Sequence, residues 1–209
     1  MCGRFYLEND IEDIIEAYEI RQVKNRVAFK GEIFPGTNIP VVMQNNDTTL
    51  DFLRWGFQVR GMNREVINAR IETAAEKPAF RKALLNNRCI IPANAFFEWE
   101  TIEKSKVKYK VQVKDKQLFS MAGVYDLFVD NNNNEYFGVV ILTRPANEEM
   151  WKLHHRMPVI IDKEKEDIWR TGSSKEILNM LEALETEDFI HLNIAPAAGI
   201  QQLSMYDLI

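Results

Sequence analysis

Several residue types that build common kinds of site are scarce in this chain. It has two cysteines, Cys2 and Cys89, in 209 residues. That excludes a disulfide framework and a zinc site made of cysteines alone. Histidine is rare as well, with His154, His155 and His191 as the full set. Two of these are adjacent, which is not a metal-ligand spacing, and no Cys or Asp cluster completes a ligand set beside them. Neither a metal nor another cofactor is expected. No apolar run approaches the roughly 18–20 residues of a membrane helix. The opening MCGRFYLEND has no apolar signal region, so a cytoplasmic protein is expected. There is no G-x-x-x-x-G-K, G-x-G-x-x-G or G-x-S-x-G pattern, so nucleotide hydrolysis, a dinucleotide fold and a serine nucleophile elbow have no support. No heptad pattern suggests self-association, and a monomer is expected.

What is present is enough for a core. Apolar residues make up 46% of the chain and charged residues 27%, as in ordinary globular proteins. No linker or repeat interrupts it, so residues 1–209 read as one domain. The net charge of −5, taken alone, disfavours a nucleic-acid partner. The charge is not evenly spread, however. Residues 54–110 carry 12 basic and 6 acidic side chains, while residues 160–209 carry 4 basic and 10 acidic. A basic centre sits inside an acidic protein.

The hydrophobic pattern mixes strands and helices without regular alternation. Ile11, Ile14, Ile15 and Tyr18 predict a helix over 10–19 with Asn9 as its cap. Thr73-Ala-Ala-Glu76 reads as a capping box opening a helix over 73–86. Short apolar runs predict strands at 39–43, 50–54 and 88–92, and the alternation of Val107, Tyr109, Val111 and Val113 predicts another. Two further strands, 117–129 and 136–143, flank the Asn131–Asn134 turn. Asn147 caps a short helix, 158–161 is strand-like, and 163–170 and 174–185 look helical. The fold class is α+β, a mostly antiparallel sheet curling into a barrel-like core with flanking helices. The motif-bearing part covers about 1–162, and about 163–209 forms an acidic helical C-terminal part.

Four positions could carry chemistry. Cys2 follows the initiator Met1 and precedes Gly3, so removal of Met1 would expose an α-amine and a thiol on adjacent carbons. The amine has a pKa of about 8, leaving an appreciable neutral fraction at pH 7, and the thiol is a strong nucleophile once ionised. Such a 1,2-aminothiol condenses with an aldehyde to an imine and then closes to a thiazolidine. Glu98 lies in the aromatic run Ala95-Phe96-Phe97-Glu98-Trp99, surroundings that suit a proton-transferring carboxyl; a polar position on an exposed strand is the competing reading. Of His154 and His155, an extended segment would let only one act as a proton shuttle. Asn68-Ala69-Arg70 joins an amide to a cation, suited to a phosphate-bearing ligand or to simple turn chemistry. Trp55-Gly56-Phe57 could stack a base, although core packing is the commoner use.

Taken together and in order, the motifs resemble one family. They are Met-Cys-Gly-Arg-Phe at the start, Pro35-Gly36-Thr37, Trp55-Gly56-Phe57, Asn68-Ala69-Arg70-x-Glu72-Thr73, Arg88-Cys89-x-x-Pro92-Ala93-x-x-Phe96-Phe97-Glu98-Trp99 and His154-x-Arg156-Met157-Pro158. This set is similar to that of the SOS-response-associated peptidases, or abasic-site processing proteins. Departures exist. The loop Gln58-Val59-Arg60-Gly61-Met62-Asn63-Arg64 lacks the two aromatics some relatives carry there, and Ala93-Asn94-Ala95 replaces Ala-Asp-Gly. Arg144 and Pro145 stand where relatives have small residues, and Asn193–Ile209 has no clear counterpart.

The resemblance implies a protein that binds single-stranded DNA at abasic sites. Its mature N-terminal cysteine would capture the ring-opened sugar aldehyde as a thiazolidine crosslink that shields the lesion. By this resemblance Cys2 is the nucleophile and Asn68 positions the opened sugar or the N-terminus. Glu98 shuttles protons and senses the abasic site, and His154 assists ring opening. Arg4, Arg70 and Arg156 contact phosphates, Thr143 hydrogen-bonds the backbone near the lesion, and Pro35 lies on the DNA-facing wall. Lyase activity and nucleoid association on damaged DNA are implied as well. Two alternatives remain open: a thiol peptidase acting on its own leader or another protein, and a non-covalent reader of modified bases.

Overall fold

The computed structural model describes residues 2–27, 29–59, 61–103, 105–130, 133–186 and 190–197. The chain opens with β1 (Phe5–Leu7) and α1 (Ile11–Ala17), followed by β2 (Gln22–Val23) and β3 (Gly31–Ile33). Asp10, one residue later than the sequence suggests, caps α1 in a reciprocal box with Asp13. A hairpin of β4 (Asn38–Gln44) and β5 (Thr48–Trp55) leads to β6 (Asn68–Arg70). Two helices replace the single helix expected over 73–86: α2 (Ile71–Ala74) and α3 (Pro78–Asn86). Thr73 therefore lies inside α2 rather than capping a helix. Pro78 takes the first helical position of α3, where its missing N–H costs nothing.

The strands β7 (Arg88–Ala93), β8 (Ala95–Ile102), β9 (Ser105–Val113), β10 (Phe119–Val129) and β11 (Glu135–Pro145) run in succession. After them come α4 (Glu148–Trp151), capped by Asn147 as expected, then β12 (Arg156–Pro158) and β13 (Ile160–Ile161). A 3-10 turn at Lys163–Lys165 continues into α5 (Glu166–Thr171) and α6 (Ser174–Thr186). The C-terminal part is not helical throughout. Leu192–Pro196 forms β14, antiparallel to β9. Its apolar residues have an open strand edge to pair with, which local sequence does not reveal. The last residues of the Asn193–Ile209 segment, from 198 on, and Asn131 and Asn132 of the expected turn lie outside the described residues.

Pairing runs β11-β10-β7-β4-β5, and β5 then pairs in parallel with β11 through Arg54↔Gly138 and Trp55↔Val139. The five strands therefore close on themselves, so the central strands have no free edge. A second sheet, β14-β9-β8-β1-β3, packs beside the barrel. Because both faces of the central strands are covered, Ile39, Val41, Val42, Ile90, Ile91, Val139, Val140 and Ile141 are all fully buried. Trp55 and Phe57 are fully buried too, so this motif packs the core rather than stacking a base. Cys89 is likewise a buried structural thiol. Arg88 ties the helices to the barrel by donating to the carbonyls of Leu84, Leu85, Trp169 and Gly172 at the ends of α3 and α5.

Closure depends on Gly138. A Cβ there would sit 2.5 Å from the carbonyl oxygen of Gly56, a backbone atom that cannot swing away. We expect Gly138→Ala to destabilise the fold by about 2 kcal/mol through overpacking, read from the midpoint of urea unfolding. An unchanged midpoint would show that the seam is looser than described.

Candidate active site

The site lies where the two sheets meet. Cys2 leads directly into β1, which pairs with β8 through Phe5↔Phe96. A further bond, from the Phe97 N–H to the Arg4 carbonyl at 2.9 Å, carries that pairing up to Arg4. Glu98, one residue further along β8, is thereby held close to Cys2. On the other side, β6 and β12 flank β11, with Ile141 opposite Asn68 and Pro145 opposite Arg156. This brings Asn68 and the turn bearing His154 to the same place. Residues separated by more than 150 positions converge because the short strands β1, β6 and β12 dock on the longer β8 and β11.

The Asn68 amide donates to the Cys2 carbonyl at 2.9 Å. Its Oδ1 is buried with no hydrogen-bond partner among the described residues, which leaves an unmet acceptor next to Cys2. Cys2 is fully buried. Burial pushes its thiol well above the ordinary value, and the negative charge of Glu98 adds to the push. In the chain that still carries Met1 the sulfur is therefore a protonated thiol. Glu98 is itself buried, only 4% exposed, and its charge acts on both Cys2 and His154.

Burial holds the His154 imidazole below its ordinary value, against the raising pull of Glu98. The Arg156 N–H donates to Nδ1 at 2.9 Å, so the neutral ring carries its proton on Nε2. The Arg156 carbonyl lies 3.2 Å from the same Nδ1 and accepts from it once the ring is protonated. Both protonation states thus have a backbone partner, as a proton shuttle needs. The expectation that neighbouring histidines point apart does not hold. The chain turns after α4 instead of running extended, and the two rings stack with centroids 4.4 Å apart. His155 is the exposed member of the pair.

The candidate DNA contacts differ among themselves. Arg70 and Pro35 are exposed. Arg70 makes no hydrogen bond or ion pair among the described residues, so its charge is available to a phosphate. Arg4 is half-buried, bonded to Glu32 at 3.2 Å and lying on the rings of Phe34 and Trp99; it is not a bare surface cation. Thr143 is fully buried, its hydroxyl 3.4 Å from the Ala69 carbonyl.

Arg156 is also buried. It grips the Glu72 carboxylate with both terminal nitrogens and donates to the Thr143 carbonyl at 2.7 Å. In this conformation both side chains are buried, and Arg156 is occupied by Glu72 and the Thr143 carbonyl. Glu72 belongs to the quoted motif but had no role assigned from sequence. A carboxylate two residues after Arg70 was the available signal.

Burial alone would raise the Glu72 carboxyl, but the hydrogen bonds and charge of Arg156 outweigh it and hold the group low. Arg156→Ala should cost about 3 kcal/mol, because it strands a partly buried carboxylate and an unpaired carbonyl. The sign with pH follows from the depressed value. The ion pair contributes fully at neutral pH and is lost as pH falls through the depressed Glu72 pKa. The stability gap between the wild type and Arg156→Ala should therefore narrow in acid. A gap independent of pH would assign the loss to packing.

No group of three or more His, Cys, Asp or Glu among the described residues is arranged to hold a metal ion. No helix among them is long and apolar enough to cross a membrane.

Known proteins resemble this chain in sequence and in fold. The chain is 33% identical over 204 residues to the abasic site processing protein YoqW of Bacillus subtilis, covering 90% of this chain and 89% of that one. It is 35% identical over 196 residues to YoaM of the same organism, also named an abasic site processing protein, covering 87% and 85%. A crystal structure of a protein from Bacteroides thetaiotaomicron superposes with a TM-score of 0.80 at 24% identity, covering 95% of this chain and 93% of the other, and so shares the fold. The family model described as SOS response associated peptidase (SRAP) matches residues 1–199. The chain belongs to the SRAP family.

Proposed function

We propose that this protein processes abasic sites in single-stranded DNA by covalent capture on Cys2. The observation that carries the reading is the convergence of Cys2, Asn68, Glu98 and His154 at one seam, in a chain whose relatives are named abasic site processing proteins. Removal of Met1 frees the Cys2 α-amine. In its neutral form the amine adds to the C1′ aldehyde of the ring-opened sugar. The carbinolamine then loses water to give an imine. Expelling that water needs an acid, and forming the carbinolamine needs a base. We assign these roles to Glu98, whose charge acts on both Cys2 and His154, and to His154, with the orphaned Asn68 Oδ1 accepting from a sugar hydroxyl.

Ring closure adds the Cys2 sulfur to the imine carbon while the thiol proton passes to the imine nitrogen. One water is released overall, and no oxidant or metal takes part. Burial of Cys2 shelters its sulfur from other reactions until the aldehyde is bound. Shielding of the lesion follows from the covalent bond. Strand cleavage and peptidase action are secondary readings: cleavage draws on the same imine, and the peptidase reading rests on the family's name.

The test is a denaturing gel of processed protein with a single strand carrying one abasic site. A shifted band is expected, and its absence would refute the reading. Binding to the same strand with an unreactive tetrahydrofuran residue should weaken with salt. Among the candidate contacts Arg70 is the one open cation, Arg4 and Arg156 being held by Glu32 and Glu72, so a log–log slope of roughly −2 is expected, corresponding to two or three phosphates. A slope several times steeper would mean that the basic central segment, not the site, dominates binding.

A further inference from the structure

Beside Cys2 lies a layer of side chains that the condensation does not use. The Arg4 guanidinium carbon sits 4.7 Å from the ring centre of Phe34 and 5.0 Å from that of Trp99. Lys108 lies 4.0 Å over the Phe97 ring and 5.8 Å from Trp99. Both cations bond Glu32, at 3.2 and 2.5 Å, which fixes the layer and leaves it a net charge of +1. Phe34 stands at the end of β3, 43% exposed, next to exposed Pro35. An aromatic ring in the open, held by a stacked guanidinium, is not packing any core.

Its position gives it a use. Arg4 is two residues from Cys2, and the bond from the Phe97 N–H to the Arg4 carbonyl holds Phe97 and Trp99, which share a face of β8, beside the start of β1. An abasic residue lacks a base, so the nucleotide beside it in a single strand has lost a stacking neighbour. That base presents a bare π-face beside the reacting sugar, and aromatic and guanidinium planes are what such a face stacks on. The loop over 58–64 has no aromatic residue to offer instead. Because Arg4 and Glu32 already order the layer, little side-chain freedom is lost on binding.

We propose that the Phe34–Arg4–Trp99 layer is the seat of the unpaired nucleobase that adjoins the abasic sugar. This rests on the abasic-site reading and adds a subsite to it.

The test compares crosslinking of a strand whose abasic site has adenines on both sides with one whose flanking positions are base-free tetrahydrofuran. At subsaturating protein the wild type should react roughly tenfold faster with the adenine strand, within the effect of one base–aromatic stack. Phe34→Ala should lose that advantage, and Phe34→Trp should keep it. Full neighbour dependence in Phe34→Ala, or none in a wild type that crosslinks, would overturn the proposal.

A second readout is independent of the covalent chemistry. It uses 2-aminopurine beside a tetrahydrofuran residue, whose fluorescence should be quenched on binding to wild type and not to Phe34→Ala. If the wild type forms no crosslink, the abasic-capture reading fails, and the quenching still decides whether a base is seated there. Equal quenching by both proteins would remove the seat.

Discussion

Cys2→Ser should abolish the stable crosslink while leaving a transient one. The variant keeps a terminal α-amine after loss of Met1, so it still condenses with the aldehyde to an imine. Serine offers a hydroxyl where the second step needs sulfur, a far better nucleophile near neutral pH. The imine then hydrolyses. On a denaturing gel the wild type should give a band that survives without reductant, and Cys2→Ser a band seen only when borohydride traps the imine. We expect the untrapped yield to fall by about a thousandfold or more, as for removal of a covalent nucleophile. The substitution is nearly isosteric at a fully buried position, so the fold should persist. A normal untrapped yield from Cys2→Ser would place the bond on another residue.

Glu98→Gln should slow crosslinking about a hundredfold or more, the usual contribution of a placed acid–base group, without weakening equilibrium binding to the tetrahydrofuran strand. The amide keeps the shape of the carboxylate and one acceptor oxygen but cannot act as an acid or base near neutral pH. Two further consequences separate this from a packing defect. Glu98 raises the pKa of both Cys2 and His154. Its removal should therefore make the thiol easier to ionise and lower the His154 pKa further. The residual rate of Glu98→Gln should rise with pH more steeply than that of wild type, as thiolate and neutral amine take over the lost proton transfers. If binding and rate fall together and the pH profile keeps its shape, Glu98 serves the architecture alone.

Much of this was legible in the sequence, for identifiable reasons. The barrel strands could be read because doubly covered strands are continuous apolar runs, as at 39–43 and 88–92. The short strands around the site could not. Phe5–Leu7, Gly31–Ile33 and Asn68–Arg70 are three residues each, too few for a period, and they exist because longer neighbours offer edges. Cys2, Asn68, Glu98 and His154 were found from chemistry, motif order and family resemblance, and the fold brings them together. The burial of Arg156 and Thr143 was not legible. An arginine beside a site reads as a phosphate ligand until its carboxylate partner, Glu72, 84 positions away, is seen to hold it. The stack of Arg4 on Phe34 and Trp99 joins three segments far apart in the chain, so no local pattern announces it.

The intact mass of Met1-processed protein after incubation with a single strand carrying one abasic site, under denaturing conditions and without reductant, tests the central claim most directly. The predicted species weighs the protein plus the DNA less one water, with fragmentation placing the bond on Cys2 as a thiazolidine. Unmodified protein, or an adduct mapped to a lysine, would contradict capture by the N-terminal aminothiol.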